Sequence, residues 1–214
     1  MNHVNFPLRS LAAAALLCTA AVSQAAVVAV ATRSAFQAIA PNSVDAFSDL
    51  TINTDLGTTS LTRVAGGAGY TVSSSALDSA SSLYVVPVAG SIGLSTVYYG
   101  DSLTFSGFGG AFAFGGNFYG TNILGEVASG GLTIAATDVN GSTLTTTLAG
   151  NSATGFAGFR SDAALSNVVV RMTTPNTNTY VTADNVAMVP EPSTSMLVLA
   201  GGGVLLLVGA RRRA

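Results

Sequence analysis

Between residues 26 and 187 the chain alternates apolar and polar positions with a period of two, and glycine or asparagine interrupts the alternation at short intervals. A period of two sends successive side chains to opposite faces of an extended strand, whereas a helix would repeat every three to four residues. The pattern predicts strands at 60–64, 82–88, 93–99, 101–107, 110–120, 131–139, 142–148, 155–160, 167–172 and 180–188. Short strands at this spacing, with turn residues between them, predict an all-β fold: an antiparallel β-sandwich or jelly roll. One short helix is expected around `SAFQAI`, with Pro41 ending it.

The sharpest local signal is `GLTIAATDV-NG-STLTTTL`, in which Asn140-Gly141 predicts a two-residue type I′ hairpin turn. The stretch Gly66-Gly67-Ala68-Gly69 reads as a loop. No Lys follows it and no βαβ unit surrounds it, so it is no phosphate cradle. Phe105, Phe108, Phe112, Phe114, Phe118, Phe156 and Phe159 cluster in the sequence; Phe112, Phe114 and Phe118 share parity and are expected on one face, in the core, with a sugar-stacking platform as the alternative. Tyr98, Tyr99 and Tyr119 are the expected exposed aromatics.

The two ends depart from this pattern. Arg9 precedes an apolar stretch of twelve, Leu11 to Val22, and Ser23-Gln24-Ala25 places small residues at −3 and −1 of a cut between Ala25 and Ala26. Twelve apolar residues are too few for a permanent span, and the pattern is that of a secretory signal peptide over 1–25, to be removed by signal peptidase. At the other end, Met196 to Ala210 is a run of fifteen uncharged residues. As a helix it reaches about 22 Å, near the lower limit for a bilayer when Ser193 to Ser195 are added. Arg211, Arg212 and Arg213 would stay in the cytoplasm as a basic anchor, leaving the body outside. The prolines Pro190 and Pro192 keep the segment before the span extended.

Composition narrows the chemistry. The chain has no lysine, and its only cysteine and histidine, Cys18 and His3, lie within the first 25 residues. Between Ala26 and Val189 four arginines face nine acids, a net charge of −5, which carries no electrostatic footprint for nucleic acid. A body without Cys or His forms no disulfide, no thiolate or imidazole catalytic site and no zinc site. Paired carboxylates remain as an enzymatic option, although no pair among the eight aspartates of the body and Glu126 stands out.

Val189-Pro190-Glu191-Pro192-Ser193-Thr194, the short apolar span and the terminal arginines resemble the PEP-CTERM sorting signal of Gram-negative bacteria. The resemblance implies recognition at Val189, Pro190, Glu191 and Pro192 by an exosortase, a membrane cysteine protease. It further implies transient membrane anchoring by the C-terminus, removal of the tail, and passage of the body to the cell surface or extracellular matrix. The implied organisation is signal peptide 1–25, ectodomain 26–187 and sorting signal 188–214, with motif 189–194, transmembrane span 195–210 and basic tail 211–213. A second resemblance, on `FGGNF` (114–118), `GFAGFRSD` (155–162), `NVVV` (167–170) and `YVTADNV` (180–186), is to the bodies of such proteins and to jelly-roll, carbohydrate-binding-like domains.

These features together predict a non-enzymatic surface protein associated with exopolysaccharide, biofilm or other surface components. The alternatives are a carbohydrate-active hydrolase using two aspartates and a purely structural envelope component. No cofactor is required. A structural calcium ion is an option because it takes only oxygen ligands, and Asp138, Asn140 and Asp184 are its candidate ligands. Turn formation accounts for the same residues. The sequence names no ligand-binding residue in the ectodomain.

Overall fold

The computed structural model describes residues 26–39, 44–75, 81–175 and 178–190. The strands are β1 (Val28–Val30), β2 (Val44–Asp45), β3 (Thr54–Asp55), β4 (Ser60–Ala65), β5 (Ala68–Ser75), β6 (Leu83–Val88), β7 (Ser91–Thr96) and β8 (Ser102–Ser106). They continue with β9 (Ala111–Thr121), β10 (Val127–Ala128), β11 (Leu132–Asp138), β12 (Thr143–Leu148), β13 (Phe156–Arg160), β14 (Leu165–Met172) and β15 (Tyr180–Pro190). The one described helix, α1 (Arg33–Ile39), opens at Thr32, whose hydroxyl accepts the Ala35 N–H as an N-cap. Pro41 lies outside the described residues, as do the predicted signal peptide through Ala25 and the predicted span at 195–210. Among the described residues no helix is long and apolar enough to cross a membrane.

Every strand pair is antiparallel, as the alternation predicts. Nine strands form one sheet in the order β1-β13-β9-β15-β7-β6-β3, with β10 added to β9 and β2 to β15. Six form the other, in the order β12-β11-β14-β8-β5-β4. The inward side chains of both sheets share one apolar cluster, in which Phe105 on β8 meets Phe114 and Phe118 on β9 at centroid distances of 5.0 and 6.0 Å. Burying each such ring stabilises the fold by about 2–3 kcal/mol, and the tilted ring pairs add about 0.5–1.5 kcal/mol.

Four local expectations are corrected. β5 extends through Ala68 and Gly69, so only Gly66 and Gly67 remain as the turn of the β4–β5 hairpin. The β11–β12 hairpin exists, but its loop has three residues. Asp138 N bonds Ser142 O, Gly141 N bonds Asp138 O, and only Gly141 takes positive φ. That is the longer hairpin with glycine in the left-handed position, favoured because the Asp138 carboxylate accepts the Asn140 and Ser142 N–H groups.

Phe112 leaves the parity of Phe114 and Phe118. The β9–β15 register slips there, pairing Val189 with Ala113 but Pro190 with Ala111, and Phe112 packs with Phe36 on the outer side. Phe156 joins it there, 5.8 Å from Phe36. Tyr119, expected to be exposed, is fully buried, whereas Tyr98 and Tyr99 are exposed as expected. Tyr119 faces away from the main core but is covered by Val86 and Val88 of β6.

Candidate functional site

The two ends of the described chain leave the same pole of the nine-stranded sheet. Val28 pairs with Arg160, Arg160 with Ala113 and Ala113 with Val189, so the start of β1 and the end of β15 stand in one row. Three strand steps separate them, roughly 14 Å. Val27 is already buried in the core, and Ala26 beside the predicted cut is exposed.

At this pole Val189 packs against the Phe36 cluster under α1. β15 runs through Pro190, three residues past the domain end read from the sequence. Proline is tolerated there because a strand terminus can forgo one ladder donor. Glu191, Pro192, Arg211, Arg212 and Arg213 lie outside the described residues.

The calcium candidates do not converge. Asp138 is on an inward position of the six-stranded sheet, where Ser161 donates to one carboxylate oxygen at 3.0 Å and the backbone of Asn140 and Ser142 to the other at 2.9 Å. Asp184 is on the outer face of the nine-stranded sheet, paired with Asn117. Among the described residues no three His, Cys, Asp or Glu side chains gather as a metal site would require.

Asp184 instead faces Arg33. The Arg33 guanidinium donates to Asn117 Oδ1 at 2.9 Å and to the Asn185 carbonyl at 2.9 Å, and lies 4.9 Å over the Phe156 ring. Burial pushes the Asp184 carboxyl above the ordinary range, against the opposing pull of Ser91, Asn117, Asn185 and Tyr119. The buried atoms Asp184 Oδ1 and Tyr119 Oη have no hydrogen-bond partner among the described residues. Burial also lowers the Arg33 pKa, and Asp184 opposes that shift.

At the opposite pole the outer face of the same sheet opens into a cavity of about 230 Å³. Its floor follows from strand register: Asp55 pairs with Tyr84, Tyr84 with Ser95, and Ser95 with Thr182, so all four share one face. Tyr180, at the start of β15, lines the cavity with Tyr84, Asp55, Ser95, Asn122 and Ile123. The ten residue steps from Tyr180 to Pro190 put it roughly 34 Å from the sorting pole.

The loop 122–126 walls the cavity. Asn122 Oδ1 accepts the Leu124 and Glu126 N–H groups at 2.9 and 3.0 Å, and Asn122 Nδ2 donates to Glu126 Oε2 at 2.8 Å. This leaves Ile123 and Leu124 exposed at the tip, at 78% and 70%.

Inside, the Thr182 hydroxyl donates to Ser95 Oγ, which in turn donates to the Val181 carbonyl. The groups that remain for a ligand are the two tyrosines and Asp55, whose carboxyl is held below the ordinary range by the Gly57 N–H and then Ser82. Two partly buried rings beside a carboxylate suit a small polar ligand with C–H faces. Among the described residues the cavity lining contributes a single carboxylate.

Tyr84 and Tyr180 were not singled out by the sequence reading. Each sits in a strand with ordinary alternation, and only the register brings them together.

The family model of the PEP-CTERM protein-sorting motif matches residues 189–213. No curated protein matches the chain. The motif implies export, processing by an exosortase and membrane-anchored sorting to the cell surface.

Proposed function

We propose that the body is a non-enzymatic glycan-binding module, a jelly-roll-like sandwich sorted by exosortase and associated with exopolysaccharide or biofilm matrix at the cell surface. The observation that carries this reading is the cavity of Tyr84, Tyr180 and Asp55 at the pole opposite the sorting motif. Tyrosine rings offer C–H stacking faces to a sugar, and a carboxylate accepts from vicinal hydroxyls. Hydrolysis of a glycosidic bond uses two carboxyl groups flanking it. A single carboxylate among the described lining residues supports binding rather than turnover.

The placement of the ends supports the same reading. With signal cut and sorting motif at one pole, the cavity faces away from whatever membrane holds either end. The experiment is a glycan array probed with the exported chain and with Tyr180→Ala and Tyr84→Ala. Retained glycans should be lost from both variants while their melting temperatures stay within a few degrees. Release of reducing ends from bound glycans would replace this reading with the hydrolase, and full binding by both variants would remove the cavity from it.

A further inference from the structure

The outer face of the six-stranded sheet is a field of hydroxyls broken by one charge. Its outward positions pair Ser73 with Thr104 and Thr71 with Ser106, and Arg171 stands opposite Thr133. Arg171 is exposed and lines a groove of about 470 Å³ with Ser75, Ser102, Thr133 and Thr173. The hydroxyls of Ser75 and Ser102 bond one another, and those of Thr133 and Thr173 meet at 3.0 Å.

The ion pairs among the described residues both belong to Arg63, which holds Asp45 and Asp49. No acid occupies a described outward position on these six strands. Among the described residues this guanidinium has no carboxylate partner, and it is therefore positioned for a carboxylate brought by a ligand.

We propose that this groove binds a carboxylate-bearing glycan, a uronic-acid polymer. Arg171 takes the carboxylate through the planar fork that matches its two oxygens. The paired hydroxyls exchange hydrogen bonds with the sugar hydroxyls. The groove lies on the other sheet from the cavity of Tyr84 and Tyr180, so one body would hold two glycan segments at once and link them.

The test uses the full chain in detergent, with fluorescein-labelled oligogalacturonate and its methyl ester as probes read by anisotropy. The acid should bind, and the ester should bind at least about tenfold more weakly, the loss of a charge-assisted pair. Arg171→Gln should raise the Kd for the acid by about tenfold or more, with an unchanged melting temperature. Arg171→Lys should fall between, keeping the charge without the fork.

Arg160→Gln, at another exposed arginine, should leave the Kd as it is. Tyr180→Ala should as well, which separates this site from the cavity. Equal binding of acid and ester, an unchanged Kd in Arg171→Gln, or an equal loss in Arg160→Gln would each overturn the proposal. Tighter binding of a sulfated oligosaccharide of the same length would overturn the carboxylate assignment.

Discussion

Arg63 grips Asp45 through two hydrogen bonds, Nε to Oδ2 at 2.9 Å and Nη2 to Oδ1 at 2.7 Å, at a site where the carboxylate is nearly buried. The Tyr70 hydroxyl donates to the same carboxylate at 2.7 Å, and the Phe47 N–H closes its other oxygen at 3.0 Å. The Arg63 guanidinium also lies 5.4 Å over the Phe47 ring. This clip ties the end of β2 and the segment after it to β4 and β5. It does for this body part of what a disulfide does elsewhere, in a chain whose one cysteine lies at position 18.

Removing one partner of the clip should therefore be costly. Asp45→Ala leaves the buried Tyr70 hydroxyl and the Phe47 N–H without their acceptor and Arg63 with the exposed Asp49 alone, and is expected to cost about 3 kcal/mol. Asp49 bonds Arg63 as well, but its side chain is 65% exposed, so Asp49→Ala is expected to cost less than about 1 kcal/mol. Urea denaturation followed by circular dichroism measures both. Equal costs would show that burial is not what gives the Asp45 pair its weight.

Asp184 sets a pH dependence of the opposite sign to Asp49. Its folded-state pKa is raised, so the folded state holds the proton more readily than the unfolded chain. Stability then falls as pH rises from the ordinary carboxylate pKa of about 3.9. Arg63 holds Asp49 down to about 2, which adds stability above the ordinary range and loses it as pH falls. Asp184→Asn should cancel the first effect alone. Its melting temperature relative to the parent should climb between pH 4 and pH 7, and a flat difference would refute the assignment.

Gly125 seats the cavity wall. It takes φ +80, and a Cβ there would stand 2.4 Å from the Pro87 carbonyl oxygen. Gly125→Ala is expected to lift the loop 122–126 off β6, at about 1–3 kcal/mol. Glycan affinity should fall with it, while binding of oligogalacturonate stays the same. Both titrations on one preparation decide this, and loss of both activities would mean that the substitution unfolds the body.

Processing should leave the sheet whole. Because β15 ends at Pro190, a cut close to Pro192 removes no described strand residue. Mass spectrometry of surface-released protein should find a C-terminus near Pro192 and no Arg211–Arg213, and the released form should melt at the temperature of the full chain. Glu191→Ala should slow release. Full-length protein accumulating in the inner membrane of an exosortase-positive host would contradict the sorting assignment.

Much of the sheet was legible because strand alternation is a local property. All ten predicted strands lie within or across observed ones, and the antiparallel arrangement follows from short turns. β5 escaped because its inward positions are Ala68, Tyr70, Val72 and Ser74, so half of its buried face reads as small or polar. Ser74 is buried at that position with Asp101 as its hydrogen-bond acceptor, a partner 27 residues away. Phe112 was misplaced for a related reason: a bulge shifts parity, and the slip is visible only against the partner strand.

What the sequence determined by itself was what short-range chemistry decides. Extended backbone follows from side-chain periodicity, and the sorting motif from consecutive residues that a protease reads in order. Tertiary structure alone decided which outward faces stay open. Tyr119 and Tyr180 occupy the same strand pair, yet β6 covers Tyr119 while Tyr180 lines a cavity. Arg63 and Arg171 are both strand arginines, yet two aspartates hold one and hydroxyls surround the other. Solvent access and electrostatic partners come from neighbours distant in the chain, and alternation along a single strand carries no record of them.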